Sequence, residues 1–127
     1  MAKHKFGTAI NCMDGRVQSP VTKWLKEGYS LDFVDMITEP GPDRVVSEGS
    51  PDKIEALKGK VGISVNAHGS NVIVIAGHHD CAANPVSREE HVNQIRRSVQ
   101  TITSWNLPVR VIGAWVNDRW EVEVIEP

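Results

Sequence analysis

This sequence of 127 residues has no excess of positive charge, no long apolar run and few cysteines. The 14 Lys and Arg residues are outnumbered by 16 Asp and Glu residues, and the formal net charge of -2 gives none of the positive field that drives binding to nucleic acid phosphates. The longest apolar run, residues 72–77, is far too short to span a bilayer. We therefore expect no nucleic acid partner and no membrane association.

Only two cysteines are present, Cys12 and Cys81. Residues 1–12 lack the hydrophobic core and cleavage site of a secretory signal peptide, so we expect a cytoplasmic protein. In a reducing compartment such a pair is more often a metal or catalytic feature than a disulfide. Two other interpretations stay open at this point: the cysteines could be small buried hydrophobic residues, or a disulfide between distant segments.

The apolar pattern predicts an α/β fold. A hydrophobic content of 40% is enough for a single domain, residues 1–127, to bury its own core without disulfides. Strands are predicted at 6–12, 31–37 and 71–77, helices at 21–27, from 50 through 65 and at 87–105, and a closing hairpin at 109–115 and 120–125. Strands that alternate with helices predict a parallel β-sheet core with crossover helices, and the hairpin adds one antiparallel edge strand.

Residues suited to metal binding follow two of the predicted parallel strands. Cys12 ends the first strand, and His78-His79-Asp80-Cys81 follows the strand at 71–77. Open α/β sheets build their sites at the carboxyl ends of strands, so adjacent strands would bring these groups together. Two thiolates and one imidazole form a soft tetrahedral set that suits zinc, and three protein ligands leave a fourth position for water or substrate. That ligand count is typical of catalytic zinc.

An acidic and a basic residue share the turn after Cys12. Asp14 and Arg16 lie two and four residues beyond it, within reach of each other. A guanidinium can fix a carboxylate through two hydrogen bonds, and the fixed carboxylate can then orient a zinc-bound hydroxide. An arbitrary Asp-x-Arg is more often a surface ion pair, but the adjacent cysteine favours the functional interpretation here.

Together these motifs resemble those of a known family. Cys12-Met13-Asp14-Gly15-Arg16 is similar to the Cys-x-Asp-x-Arg motif of beta-class carbonic anhydrases, and Gly77-His78-His79-Asp80-Cys81 resembles their Gly-His-x-x-Cys motif. The order and the approximate separation of the two motifs also agree. The resemblance, to a short member of the family, extends along most of the chain.

The resemblance implies a set of site residues. Cys12, His78 and Cys81 are then the zinc ligands, and Asp14 and Arg16 form the catalytic pair beside the metal. His79 is not a ligand in this scheme, and a solvated or packing role is favoured over a proton relay. The remaining histidines are expected in ordinary surface or helix-face positions; they are His4, His68 and His91.

The resemblance also implies an activity and an assembly. The activity is the reversible hydration of carbon dioxide to bicarbonate by a hydroxide that zinc generates, lowering the pKa of water from about 16 toward about 7. A homodimer or higher homo-oligomer is the expected assembly, and the exposed edge of the sheet and apolar Trp24, Trp115 and Trp120 favour it.

Two alternative functions remain. Residues 38–42 replace a stretch that resembles Arg-Asn-Ala-Gly-Asn in the family, and a reshaped pocket would favour carbonyl sulfide or carbon disulfide as substrate of a hydrolase. The other alternative is a non-catalytic zinc-binding module, in which Asp14 closes the coordination sphere and the metal stabilises the fold.

Overall fold

The order of strands and helices in the computed structural model, which describes residues 4–126, follows the predicted alternation. The elements are β1 (Phe6–Cys12), α1 (Gly15–Tyr29), β2 (Phe33–Glu39), α2 (Pro42–Glu48), α3 (Pro51–His68), β3 (Val72–His78), α4 (Arg88–Thr103), β4 (Arg110–Val116) and β5 (Val122–Ile125). The strands lie in the order β2-β1-β3-β4-β5, all parallel except β5, which runs antiparallel to β4. The predicted α/β sheet with its antiparallel edge strand is confirmed.

Both faces of the sheet are covered, which is why β3 is buried along its whole length. Side chains alternate between the faces, so Val74 packs in a core with residues of α1, and Ile73 packs in a second core with residues of α2, α3 and α4. Cys12 and Cys81 belong to the first core. No helix within the described residues is long and apolar enough to cross a membrane.

Helix α1 begins six residues earlier than the sequence predicts. The Asp14 carboxylate accepts a hydrogen bond from the backbone N–H of Arg16 at 2.9 Å and so caps the first turn. Pro20 then lies inside the helix, where it removes one backbone hydrogen bond. The helix continues past Gly28 and ends at Tyr29, and Ser30 caps it in the left-handed conformation. The turn after Cys12 is therefore also a helix amino terminus.

A short helix, α2, was not predicted, because prolines at positions 40 and 42 end a strand and, with Gly41 between them, are typical of a tight turn that reverses the chain. Pro42 instead occupies the first position of α2, where a missing N–H costs nothing and the fixed φ suits the helix. Gly41 precedes it with φ of 60°. This brief helix places Asp43 in the protein interior.

The boundaries of the other strands and helices differ from the predicted ones by small amounts. Pairing of Phe6 with Phe33 sets the start of β2 two residues later than predicted. Helix α3 forms despite its internal glycines, and Ser87 caps α4 by accepting a hydrogen bond from the Glu90 N–H at 3.1 Å, as its sequence predicts.

Candidate metal centre

Cys12, His78 and Cys81 meet at one end of the sheet. Strands β1 and β3 are adjacent and parallel, so Cys12 at the end of β1 lies beside His78 at the end of β3. One ligand atom from each of the three residues lies within 4.8 Å of the other two, and all three residues are buried. Both cysteines are free thiols, so the disulfide interpretation does not hold for this structure.

The imidazole of His78 is oriented for metal binding. Its Nδ1 lies 2.7 Å from the His79 carbonyl oxygen, which can only accept, so Nδ1 carries the proton and Nε2 presents a lone pair. Nε2 is buried and has no hydrogen-bond partner among the described residues. An unsatisfied buried polar atom costs about 1 to 3 kcal/mol, which a bound cation would relieve.

The donor set and its spacing fit zinc. Ligand atoms around a tetrahedral zinc ion are roughly 3.3 to 3.8 Å apart, which the upper limit of 4.8 Å in this cluster accommodates. Two sulfur atoms and one nitrogen are also the ligands that zinc prefers. The residues present would therefore hold this ion.

The electrostatics of the cluster favour one thiolate even without a metal. The hydrogen bond donated by the Cys81 thiol lowers the pKa of Cys12, against the opposing effect of burial, and the same contact raises the pKa of Cys81. Burial also acts to lower the pKa of His78, but the nearby Cys12 sulfur and the His79 carbonyl outweigh it, so that pKa is raised. Cys12 is thus the group of the cluster that is favoured as an anion, and its sulfur is a proposed ligand atom.

Asp14 is held by Arg16 and lies outside the three-residue cluster. The guanidinium binds the carboxylate through two hydrogen bonds, Nε to Oδ1 at 3.0 Å and Nη2 to Oδ2 at 2.7 Å. These hydrogen bonds lower the pKa of Asp14 to about 2, so it is ionised at neutral pH. The predicted pairing of the two residues is present.

Two further residues contact Arg16, and neither was proposed from the sequence as a site residue. Asp80 accepts hydrogen bonds from Arg16 through its carboxylate at 3.2 Å and its carbonyl at 3.1 Å. The Trp120 ring lies under the guanidinium, 4.6 Å from Cζ to the ring centroid. The position of Asp80 between two proposed ligands was a signal that could have identified it, whereas Trp120 carries no such signal.

His79, beside the cluster, is exposed. Its backbone N–H donates to the Val116 carbonyl at 2.9 Å, and its ring centroid lies 6.4 Å from that of Trp120. A packing or solvated role for His79 stays a prediction.

A buried polar network lies next to the cluster and includes His91, which lies on a helix face, one of the two positions expected for it, but on a buried one. His91 is buried on α4, and its Nδ1 donates to Oδ2 of Asp43 at 2.6 Å. Asn84 donates to the other carboxylate oxygen of Asp43 at 3.2 Å, and its backbone N–H donates to the Cys81 carbonyl at 3.3 Å. A Cβ atom on Gly77 would lie 2.5 Å from Oδ2 of Asp43. The network therefore supports the segments that carry His78 and Cys81.

The fold and the Cys-His-Cys cluster define a carbonic-anhydrase-like protein. The family described as "Putative carbonic anhydrase" matches residues 2–126, and the chain belongs to this family. No curated protein is significantly similar to it in sequence.

Solved structures of beta-carbonic anhydrases share the fold. Isoform I from Trichomonas vaginalis is 16% identical with a TM-score of 0.64, over 98% of this chain and 86% of that one. The carbonic anhydrase from Glaciozyma antarctica is 16% identical with a TM-score of 0.60, over 94% and 81%. Tetrameric beta-carbonic anhydrases from Sordaria macrospora give 13% identity and a TM-score of 0.53, over 100% and 82%. The resemblance to the beta class is confirmed at the level of family and fold.

Proposed function

We propose that this protein is a zinc-dependent carbonic anhydrase that catalyses the reversible hydration of carbon dioxide to bicarbonate. One observation carries the proposal: the buried Nε2 of His78, which has no hydrogen-bond partner within residues 4–126, lies beside two free cysteines while Asp14 is held on Arg16. Three protein ligands, with the Asp14 carboxylate engaged by Arg16, leave a fourth position for a reactant. This arrangement favours an enzyme over a structural module closed by Asp14.

In this proposal each residue has a separate role. Cys12, His78 and Cys81 hold the ion, and zinc in such a site supplies a Lewis acid that lowers the pKa of water toward neutrality. Asp14 accepts a hydrogen bond from the attacking water and orients it toward the carbon atom. Arg16 keeps the carboxylate ionised and fixed, because its two hydrogen bonds leave Asp14 a single orientation.

We also propose that residues 1–127 form one domain that works in the cytoplasm as a homodimer or higher homo-oligomer. The family match over nearly the whole chain supports one domain, and the free cysteines suit a reducing compartment. The Sordaria macrospora enzymes are tetrameric, and β2 is an edge strand with Phe33 about half exposed. Trp115 does not contribute to this argument, because it is buried in the chain itself.

The test is zinc content measured together with stopped-flow hydration of carbon dioxide. We expect about one zinc per chain, and in Asp14→Asn a rate lower by roughly 10- to 100-fold with the metal retained. Glu55→Gln, a charge change on the exposed face of α3, is the matched control and should leave the rate unchanged. A zinc-loaded wild type that hydrates no carbon dioxide would refute the proposal.

The alternative substrates are carbonyl sulfide and carbon disulfide. The observation that favours them is the course of residues 38–42, where Gly41 and Pro42 turn the chain into α2 beside Cys12. Turnover of both compounds, measured on the same zinc-loaded protein, separates this hydrolase from a carbonic anhydrase.

A further inference from the structure

Arg16 is held by more of the protein than Asp14 alone. Four of its five N–H groups are engaged: two on the Asp14 carboxylate, one on the Asp80 carboxylate and one on the Asp80 carbonyl. The face of the guanidinium lies over the Trp120 ring. The guanidinium is thus fixed along two edges and one face, more constraint than a two-residue surface ion pair provides.

The contacts to Arg16 join three segments that are distant in sequence. Asp14 precedes α1, Asp80 lies between His79 and Cys81, and Trp120 belongs to the turn between β4 and β5. Both Asp80 and Trp120 have left-handed backbone conformations, with φ of 58° and 59°. Such conformations are uncommon, above all for a bulky residue, and both of these side chains contact Arg16.

Asp14 has two possible partners at this end of the sheet. It can stay on Arg16, or it can move toward the cluster of Cys12, His78 and Cys81, where a bound cation would attract its carboxylate. An arginine free to move could follow the carboxylate, whereas one fixed by Asp80 and Trp120 cannot do so without losing those contacts. The immobility of Arg16 therefore biases Asp14 toward the arginine.

We propose that Asp80 and Trp120 are positioning residues that fix Arg16 and, through it, keep the Asp14 carboxylate out of the metal's fourth coordination position. The inference rests on the proposed metal site but is independent of which substrate the site turns over. It predicts that the accessibility of the metal depends on residues that do not touch it.

The test measures access to the metal directly. The protein is loaded with cobalt(II), whose absorption spectrum reports its ligands, and thiocyanate is titrated as an exogenous fourth ligand. Asp80→Asn keeps a residue that tolerates the left-handed backbone but removes the charge. We expect its thiocyanate affinity to fall about three- to fivefold, the effect of losing one exposed charged contact, as Asp14 competes for the position.

A second variant and a matched control complete the design. Trp120→Leu keeps apolar packing but removes the ring face, and it should lower thiocyanate affinity in the same direction. Glu48→Gln also removes an exposed carboxylate that contacts arginines, Arg44 and Arg97, but it lies away from Arg16 and should leave the titration unchanged. Circular dichroism establishes that each variant is folded.

The decisive comparison is made in the Arg16→Gln background. If Asp80 acts through Arg16, Asp80→Asn should have no further effect on thiocyanate affinity there. Equal affinity in wild type and Asp80→Asn, or the same loss in both backgrounds, would overturn the inference while leaving the proposed metal site intact. Failure of wild type to bind cobalt or zinc would instead overturn the proposed function, and the inference with it.

Discussion

Arg16 and Asp14 form an acid–base pair at the surface of the molecule, whereas His91 and Asp43 form one in its core. The side chains of the first pair are 46% and 20% exposed, and those of the second are 2% and 1% exposed. Water can solvate both members of the first pair if they separate, so the pair contributes little to the stability of the fold. Its main effect is to fix the orientation of the Asp14 carboxylate. The second pair is shielded from solvent, so the loss of one member leaves the other buried with one strong hydrogen bond fewer.

The two pairs thus act on the same site in different ways. Asp14 and Arg16 set the direction of one carboxylate beside the proposed ligands. Oδ2 of Asp43 occupies the space that a Cβ on Gly77, next to His78, would need, and the backbone N–H of its partner Asn84 donates to the Cys81 carbonyl. In the proposed enzyme the surface pair would orient the attacking water, while the core pair supports the segments that carry the proposed ligands.

The largest expected effect comes from breaking the core pair. His91→Leu leaves the Asp43 carboxylate buried without its 2.6 Å partner, and we expect the free energy of unfolding to fall by about 2 to 4 kcal/mol. Urea denaturation of the zinc-loaded protein measures this free energy of unfolding. Asp14→Asn is the comparison, with an expected loss below about 1 kcal/mol. Equal losses in the two variants would remove the distinction between the pairs.

A smaller effect is expected from crowding the core pair instead of removing a member. In Gly77→Ala the new methyl group would meet Oδ2 of Asp43 at 2.5 Å, and overpacking of this kind costs about 1 to 3 kcal/mol. Zinc affinity should also fall, because the strain is adjacent to His78. Gly59→Ala is the matched control: its Cβ would meet nothing within 4 Å, and alanine favours the helix by about 0.5 to 1 kcal/mol. Thermal unfolding and competition with a zinc chelator measure both effects, and a stability unchanged from wild type in Gly77→Ala would contradict the close contact.

The smallest expected effect is a difference between the two pairs in how their coupling energies respond to salt. The coupling energy between Asp14 and Arg16, from a double-mutant cycle, should be at most about 1 kcal/mol in dilute buffer and approach zero in 1 M NaCl, where the Debye length is about 3 Å. The coupling between Asp43 and His91 should stay constant, because salt ions do not penetrate the core. A core coupling that decreases with salt in parallel with the surface one would show that both pairs are solvated.

Much of the site was predictable because its parts are local. Cys12 and His78 end strands whose apolar patterns are clear, and Asp14 and Arg16 share one turn with Cys12. The positions of these residues, and the approach of the three side chains proposed as zinc ligands, follow from strand ends meeting at one edge of a parallel sheet. That those side chains bind zinc stays a prediction.

The missed features join residues distant in sequence. Asp43 and His91 are 48 positions apart, and Arg16 and Asp80 are 64 apart. A histidine on a helix shows no local sign of a buried aspartate opposite it, and the prolines that appeared only to reverse the chain hid the helix that buries Asp43. Such contacts arise when helices pack on the sheet, so local patterns do not encode them.

The sequence by itself determined the α/β class, the parallel core and the two motifs that place cysteine, histidine, aspartate and arginine at strand ends. These depend on periodicity and turn chemistry, which act over a few residues. Only the tertiary structure decided that β1 lies beside β3, that His91 pairs with Asp43 and that Trp120 lies beneath Arg16. The physical reason is that burial and alignment of distant side chains are set by how whole elements pack, not by the residues next to each one.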